Sequence, residues 1–176
     1  MTAIPTESHG LRTDHVLLLV EHARWGETEL LDAAAGLSDE QLDRPFEMSL
    51  GSFRKVVTHT IGAGRSWVDV YREAEMRPWL GDEGPFSVPE LRDLMMSTYD
   101  QWVAALRELD RTKIVERERD GKRFSISRPE IVTHVFTHAA HHRAHCINML
   151  RQMGVDPLPT GGLAKWVYDR FPPVEA

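Results

Sequence analysis

Four long stretches of this chain repeat apolar residues at three- and four-residue steps, the period of a helix that buries one face. The first is expected from about Thr13 to Ala35, closed by Gly36, with Leu11, His15, Leu18, His22 and Trp25 on a shared face. The second is expected from about Ser52 to Glu75, with Val56, His59, Ala63, Ser66, Trp67, Val70 and Ala74 inward. Arg54, Thr58, Arg65 and Asp69 point the other way, and Pro78 with "GDEGP" makes the following loop. The third begins near Val88, with Ser87 and Glu90 at capping-box spacing and an inward stripe of Leu91, Met95, Thr98, Trp102, Leu106 and Leu109. The fourth runs from about Pro129 to Met153, starting where proline is tolerated and ending at Gly154.

Four such segments predict an all-α helix bundle, and their period conflicts with the strand-helix alternation of a doubly wound sheet. "IVERE" and "RFSIS", joined around Asp120-Gly121, predict a small β-hairpin before the fourth helix. "LAKWVYDRF" predicts a short C-terminal helix that covers one end. No internal repeat is present, and 176 residues suit one domain spanning the whole chain, 1–176.

The net charge of −6 and the absence of any long basic run argue against nucleic-acid binding, which needs concentrated cationic surface. No apolar run is long enough for a bilayer, so no membrane partner is expected. The opening "MTAIPTESHG" lacks a signal-peptide pattern, and a cytoplasmic location is the expectation. Cys146, the one cysteine, can form no intramolecular disulfide, and its simplest role is that of a small buried hydrophobe.

The segment "THVFTHAAHHRAHC" (133–146) holds five of the nine histidines. With Ile131 as zero and about 100° per residue, His138 falls near −20° and His142 near 20°, beside Val135 and Met149. The same construction makes His59 central on the inward stripe of the second helix. The spacing therefore offers two imidazoles one turn apart, plus a third from a facing helix, a set that can surround a divalent ion. The alternative is a buried polar network of hydrogen-bonded histidines. Position 139 is alanine, so there is no HExxH general base. Three imidazoles suit zinc, with nickel, iron or cobalt also compatible, and leave room for water or substrate. Such a cation could activate water or a thiol, and no acid-base partner in the sequence chooses between them.

Other residues carry two readings. Trp25, Trp67 and Trp102 fit the core or the wall of a cleft. His22 fits a structural contact or a place near the metal, Arg143 an ion pair or an anionic-substrate contact. Glu29 is a polar neighbour on the first helix, and His134 and His145 fit surface or supporting positions. No catalytic residue is assigned.

With these positions located, the chain resembles the DinB/YfiT-like superfamily of metalloenzymes over roughly Asp14 to Met153. The likeness rests on "VVTHTIGAGRSW", where His59 matches the first ligand, and on "VFTHAAHHRAH", where His138 and His142 match the other two. Alanine at 144 stands where glycine is frequent, and histidines 134, 141 and 145 are extra. The resemblance implies an up-down-down-up four-helix bundle with a long crossover between helices two and three. It also implies a metal triad towards one end of an internal cleft, and a homodimer. Relatives include thiol-dependent transferases and isomerases. The functional expectation is a metal-dependent enzyme that activates a low-molecular-weight thiol (S-transferase-like) or water (hydrolase-like), acting on a small molecule. A non-catalytic, metal-stabilised binding or assembly protein is the alternative.

Overall fold

A computed structural model describes residues 14–119 and 121–170. Expectations placed on Leu11, Thr13, Asp120 and Phe171 lie outside the described residues. The elements are helix α1 (His15–Ala34), α2 (Asp39–Leu42), α3 (Phe53–Arg72), α4 (Val88–Glu108), strands β1 (Ile114–Arg119) and β2 (Lys122–Ser127), α5 (Arg128–Gln152) and α6 (Leu163–Arg170). A single 3-10 turn, Leu80–Asp82, lies between α3 and α4.

Local chemistry sets the helix starts. Asp14, Ser52, Ser87 and Ser127 each accept a hydrogen bond from a first-turn amide that would otherwise lack a partner. Ser87 with Glu90 and Ser127 with Glu130 complete reciprocal capping boxes. The two strands pair antiparallel as a hairpin, with Val115 opposite Ile126. Val115 is buried and ties the ribbon to the bundle.

The long helices pack as α1 and α3 each against both α4 and α5. Their directions follow from polar contacts at the ends. Asp14 at the start of α1 meets Arg111 after α4, while Asp32 near its end meets Arg92 near the start of α4, so these two run opposite ways. Arg54 at the start of α3 donates to the Phe86 carbonyl before α4, and Arg72 at its end pairs with Glu108, so α3 and α4 run together. The Arg128 guanidinium at the start of α5 donates to the Tyr71 carbonyl at the end of α3, which makes α5 antiparallel to α3. The order is up-down-down-up, and residues 73–87 form the long crossover.

The α4 stripe packs as its period predicts from Leu91 through Met95, Thr98 and Trp102 to Leu106, all buried, while Leu109 caps the helix end and is half-buried. Two other helices differ from expectation. In α1 the buried residues are Leu17, Val20, Ala23, Glu27, Leu30, Leu31 and Ala34, on the side roughly opposite His15, Leu18, His22 and Trp25. His15 is exposed, and α6 covers part of the face that holds His22 and Trp25, with Trp166 buried there. In α3 the side expected to face out is the more buried: His59, Ala63, Ser66 and Trp67 of the expected inward stripe are half-buried, whereas Arg54, Thr58 and Asp69 are under 10 % exposed. The crossover lies over them. Arg77 pairs with Asp69, Arg65 donates to the Pro78 carbonyl, and Leu80 is fully buried. Ala74 falls beyond the helix end and is exposed.

No helix among the described residues is long and apolar enough to cross a membrane.

Candidate metal centre

His138 and His142 are one turn apart on α5, and His59 faces them from α3. His138 Nε2 lies 3.2 Å from His59 Nε2 and 3.1 Å from His142 Nε2. The three ligand atoms lie within 4.8 Å of one another. Around a cation with bonds of about 2.1 Å, nitrogens sit roughly 3.0–3.4 Å apart for angles between octahedral and tetrahedral, so both short edges fit.

The donor chemistry favours that reading over a hydrogen-bonded network. His138 Nε2 faces two other nitrogens at once, yet a ring nitrogen offers either one proton or one lone pair. It cannot make two good hydrogen bonds there. A cation accepts all three lone pairs together.

Protonation is set accordingly. Burial, reinforced by the neighbouring rings, holds His138 and His142 down at about 4. His59 is also lowered, by burial. At neutral pH all three are neutral, the form that ligates.

One supporting contact was not visible in the sequence. The Ser49 hydroxyl lies 3.2 Å from His142 Nδ1, the nitrogen turned away from the triad. With Ser49 as acceptor the proton stays on Nδ1, leaving Nε2 free to ligate. Ser49 is at φ +50°, a left-handed conformation uncommon outside glycine, next to Gly51 at φ +86°. Phe46 and Gly51 close this tight loop with an N–H to carbonyl bond of 2.8 Å. No helical period signals such a residue.

The triad lies at the border of the buried surface. Taking the same wheel, the buried residues of α5 centre near 70°, around Ala139, Arg143 and Cys146, so His138 and His142 occupy one edge. All three triad rings are half-buried. His59 opens onto a cleft of about 490 Å³ whose lining includes Lys55, Thr58, Leu50, Trp79 and Gly84. Trp79 stands edge-on to His59 at 5.6 Å, because Gly62 lets the Trp79 ring close on α3: a Cβ there would meet it at 3.2 Å.

The remaining sequence candidates fall in different places. Trp67 packs edge-on to His134 at 5.0 Å, and His134 stacks on His138 at 5.5 Å, so both border the triad from its other side. Trp102 is in the core, its indole donating to the Gly64 carbonyl at 3.1 Å. His22 packs between Trp25 and Trp166, and Trp25 carries Lys165 over its ring at 5.6 Å. Arg143 turns into the bundle, 8 % exposed, against Gly26, where a Cβ would come within 2.6 Å of its Nη1. It faces Glu27, not Glu29, as the inward carboxyl of α1. Burial raises Glu27 to about 7 against the opposing pull of Arg143, and Tyr99 is hydrogen-bonded to it. Cys146 is buried near this pair, its thiol pushed well above the usual range by desolvation.

These shifts predict how metal-free protein responds to acid. A histidine whose folded pKa lies below its unfolded value near 6.5 gives stability that is complete above 6.5 and lost as pH falls through about 4. Glu27 works oppositely: its raised pKa favours folding below about 4.5 and is lost as pH rises through about 7. The contrast isolates the triad. In chelator, the wild-type urea midpoint should fall more steeply from pH 6.5 to 4 than that of His138→Gln/His142→Gln. Parallel profiles would show that the rings do not carry the shift.

A helix bundle with a three-imidazole centre beside an open cleft is the class that this fold and site define. The DinB family model matches residues 12–168, and the chain belongs to the DinB family. Among solved structures it is similar to a DinB-like protein, YjoA, from Bacillus subtilis, with a TM-score of 0.59 and 18 % identity. That match covers 82 % of this chain and 96 % of the other, and shows a shared fold. No curated protein matches the chain.

Proposed function

We propose that His59, His138 and His142 hold a divalent cation, zinc being the most natural, and that the protein is a metal-dependent enzyme acting on a low-molecular-weight thiol. Three neutral imidazole donors close together, one of which (His59) lines an open cleft, carry this reading. Three protein ligands leave at least one coordination position for a small molecule. When bound, the cation supplies Lewis acidity, which lowers the pKa of a thiol or water beside it.

The cleft lining favours the thiol over water. A hydrolase needs a base to take up a proton from water, and the one carboxylate lining the cleft, Asp43, is engaged by the Arg54 guanidinium at 2.9 Å. A thiol, with an ordinary pKa near 8.5, needs much less help to ionise. The transferase-like reading and a homodimeric state also follow from the resemblance to thiol-dependent relatives.

Cobalt(II) reports on this directly. Metal-free protein loaded with Co²⁺ should show a visible spectrum that changes when a small thiol is added, and His138→Ala should abolish both signals. A spectrum indifferent to thiols and to small anions would mean a closed shell, and the non-catalytic, metal-stabilised binding protein would replace the enzyme.

A further inference from the structure

Two of the histidines that the triad leaves unused make a second helical pair. His141 and His145 are one turn apart on α5, their ring centroids 4.4 Å apart with planes at 79°. The triad's own helical pair, His138 and His142, has centroids 4.4 Å apart at 75°. The two ring pairs pack alike, three residues apart along one helix, although only His138 and His142 bring ring nitrogens within 3.1 Å of each other.

Their surroundings differ in a way that matters. The His145 Nδ1 is buried and has no hydrogen-bond partner, so one ring nitrogen is removed from water without compensation. His141 is exposed, which leaves that side open for an ion to arrive from solvent. Cys146 is no competitor: it is buried in the core with a thiol that burial keeps protonated. Two imidazoles spaced i, i+4 share one face of a rigid helix, so small side-chain rotations bring both to one ion.

We infer that His141 and His145 form a second, weaker site for a borderline divalent cation such as Zn²⁺, Ni²⁺ or Cu²⁺, completed by water. Hard cations that prefer oxygen, such as Mg²⁺ and Ca²⁺, do not suit it. With two protein ligands, its Kd for Zn²⁺ is on the order of 10 µM. The site also adjoins the triad: the His142 ring lies 5.3 Å from His141 and 5.9 Å from His145, centre to centre. A cation on the outer pair is thus one imidazole away from the inner set. The inference stands on its own geometry and does not require the triad to be occupied.

Calorimetric titration of the metal-free full chain with Zn²⁺ tests it, with bound zinc counted by elemental analysis after dialysis against about 50 µM free Zn²⁺, a few times the expected Kd. Wild type should show a tight and a weak class of site. His141→Ala/His145→Ala should keep the tight class and lose the weak one. His59→Ala/His138→Ala should keep the weak class, and adding the outer substitutions to it should remove that too. Alanine favours the helix, and circular dichroism confirms that each variant folds. The inference fails if weak binding survives His141→Ala/His145→Ala, or if the triad-deleted protein binds no zinc under these conditions. Failure of the triad reading looks different: the tight class alone would be missing from wild type.

Discussion

His138→Ala is expected to weaken Zn²⁺ binding by on the order of 100-fold or more while leaving the helices intact. His138 is the hub of the site, its Nε2 within 3.2 Å of both other donors. Zinc sites with four ligands bind with about 10–16 kcal/mol, or about 3 kcal/mol per ligand, and 1.4 kcal/mol is a factor of ten. The variant loses a ligand without burying anything new, since the ring is half-buried at the edge of the buried face of α5. Ser49→Ala should act more mildly, about 10-fold, because it releases the His142 ring without deleting a donor. Competition against a chromophoric chelator measures both. Unchanged affinity in His138→Ala would remove the metal centre from this protein.

Trp102→Ala should cost about 3–5 kcal/mol of folding stability, the range for deleting a large buried aromatic. Trp102 is 1 % exposed and packs edge-on against Tyr71 at 5.4 Å and Phe136 at 5.6 Å. Its indole also donates to the Gly64 carbonyl at 3.1 Å, a buried hydrogen bond that the variant loses. Such a loss is a large part of the 5–15 kcal/mol that holds an ordinary domain together. For a chain of this length each kcal/mol moves Tm by about 2–4 °C, so a fall of roughly 10 °C is expected. Trp102→Phe keeps most of the packing, loses the hydrogen bond, and should fall well short of that. A Tm unchanged within 2–3 °C in Trp102→Ala would contradict the core described here.

The pairing of His138 with His142 was legible because a helix brings i and i+4 together whatever surrounds it. The α4 stripe and the β-hairpin were legible for the same reason, since period and turn chemistry are local. The direction in which α1 faces was not. "VLLLV" at 16–20 offers apolar residues around most of the helix, so a wheel has no unique solution. Contact with α4 and α5 selects Leu17 and Val20, and draws in Glu27 against Arg143.

The burial of Arg54 and Asp69 was equally hidden, because charged residues at helical spacing read as a solvated face until a crossover folds over them. Ser49 depended on a left-handed loop conformation that meets a ring 93 residues away in sequence. By itself the sequence determined which segments become helices and which two imidazoles stand together on α5. Only the tertiary structure decided that His59 joins them, and that they stand at the edge of the buried face instead of the middle of the core. Local hydrogen bonding and side-chain period act over a few residues, whereas convergence of side chains across helices depends on how whole faces choose their partners.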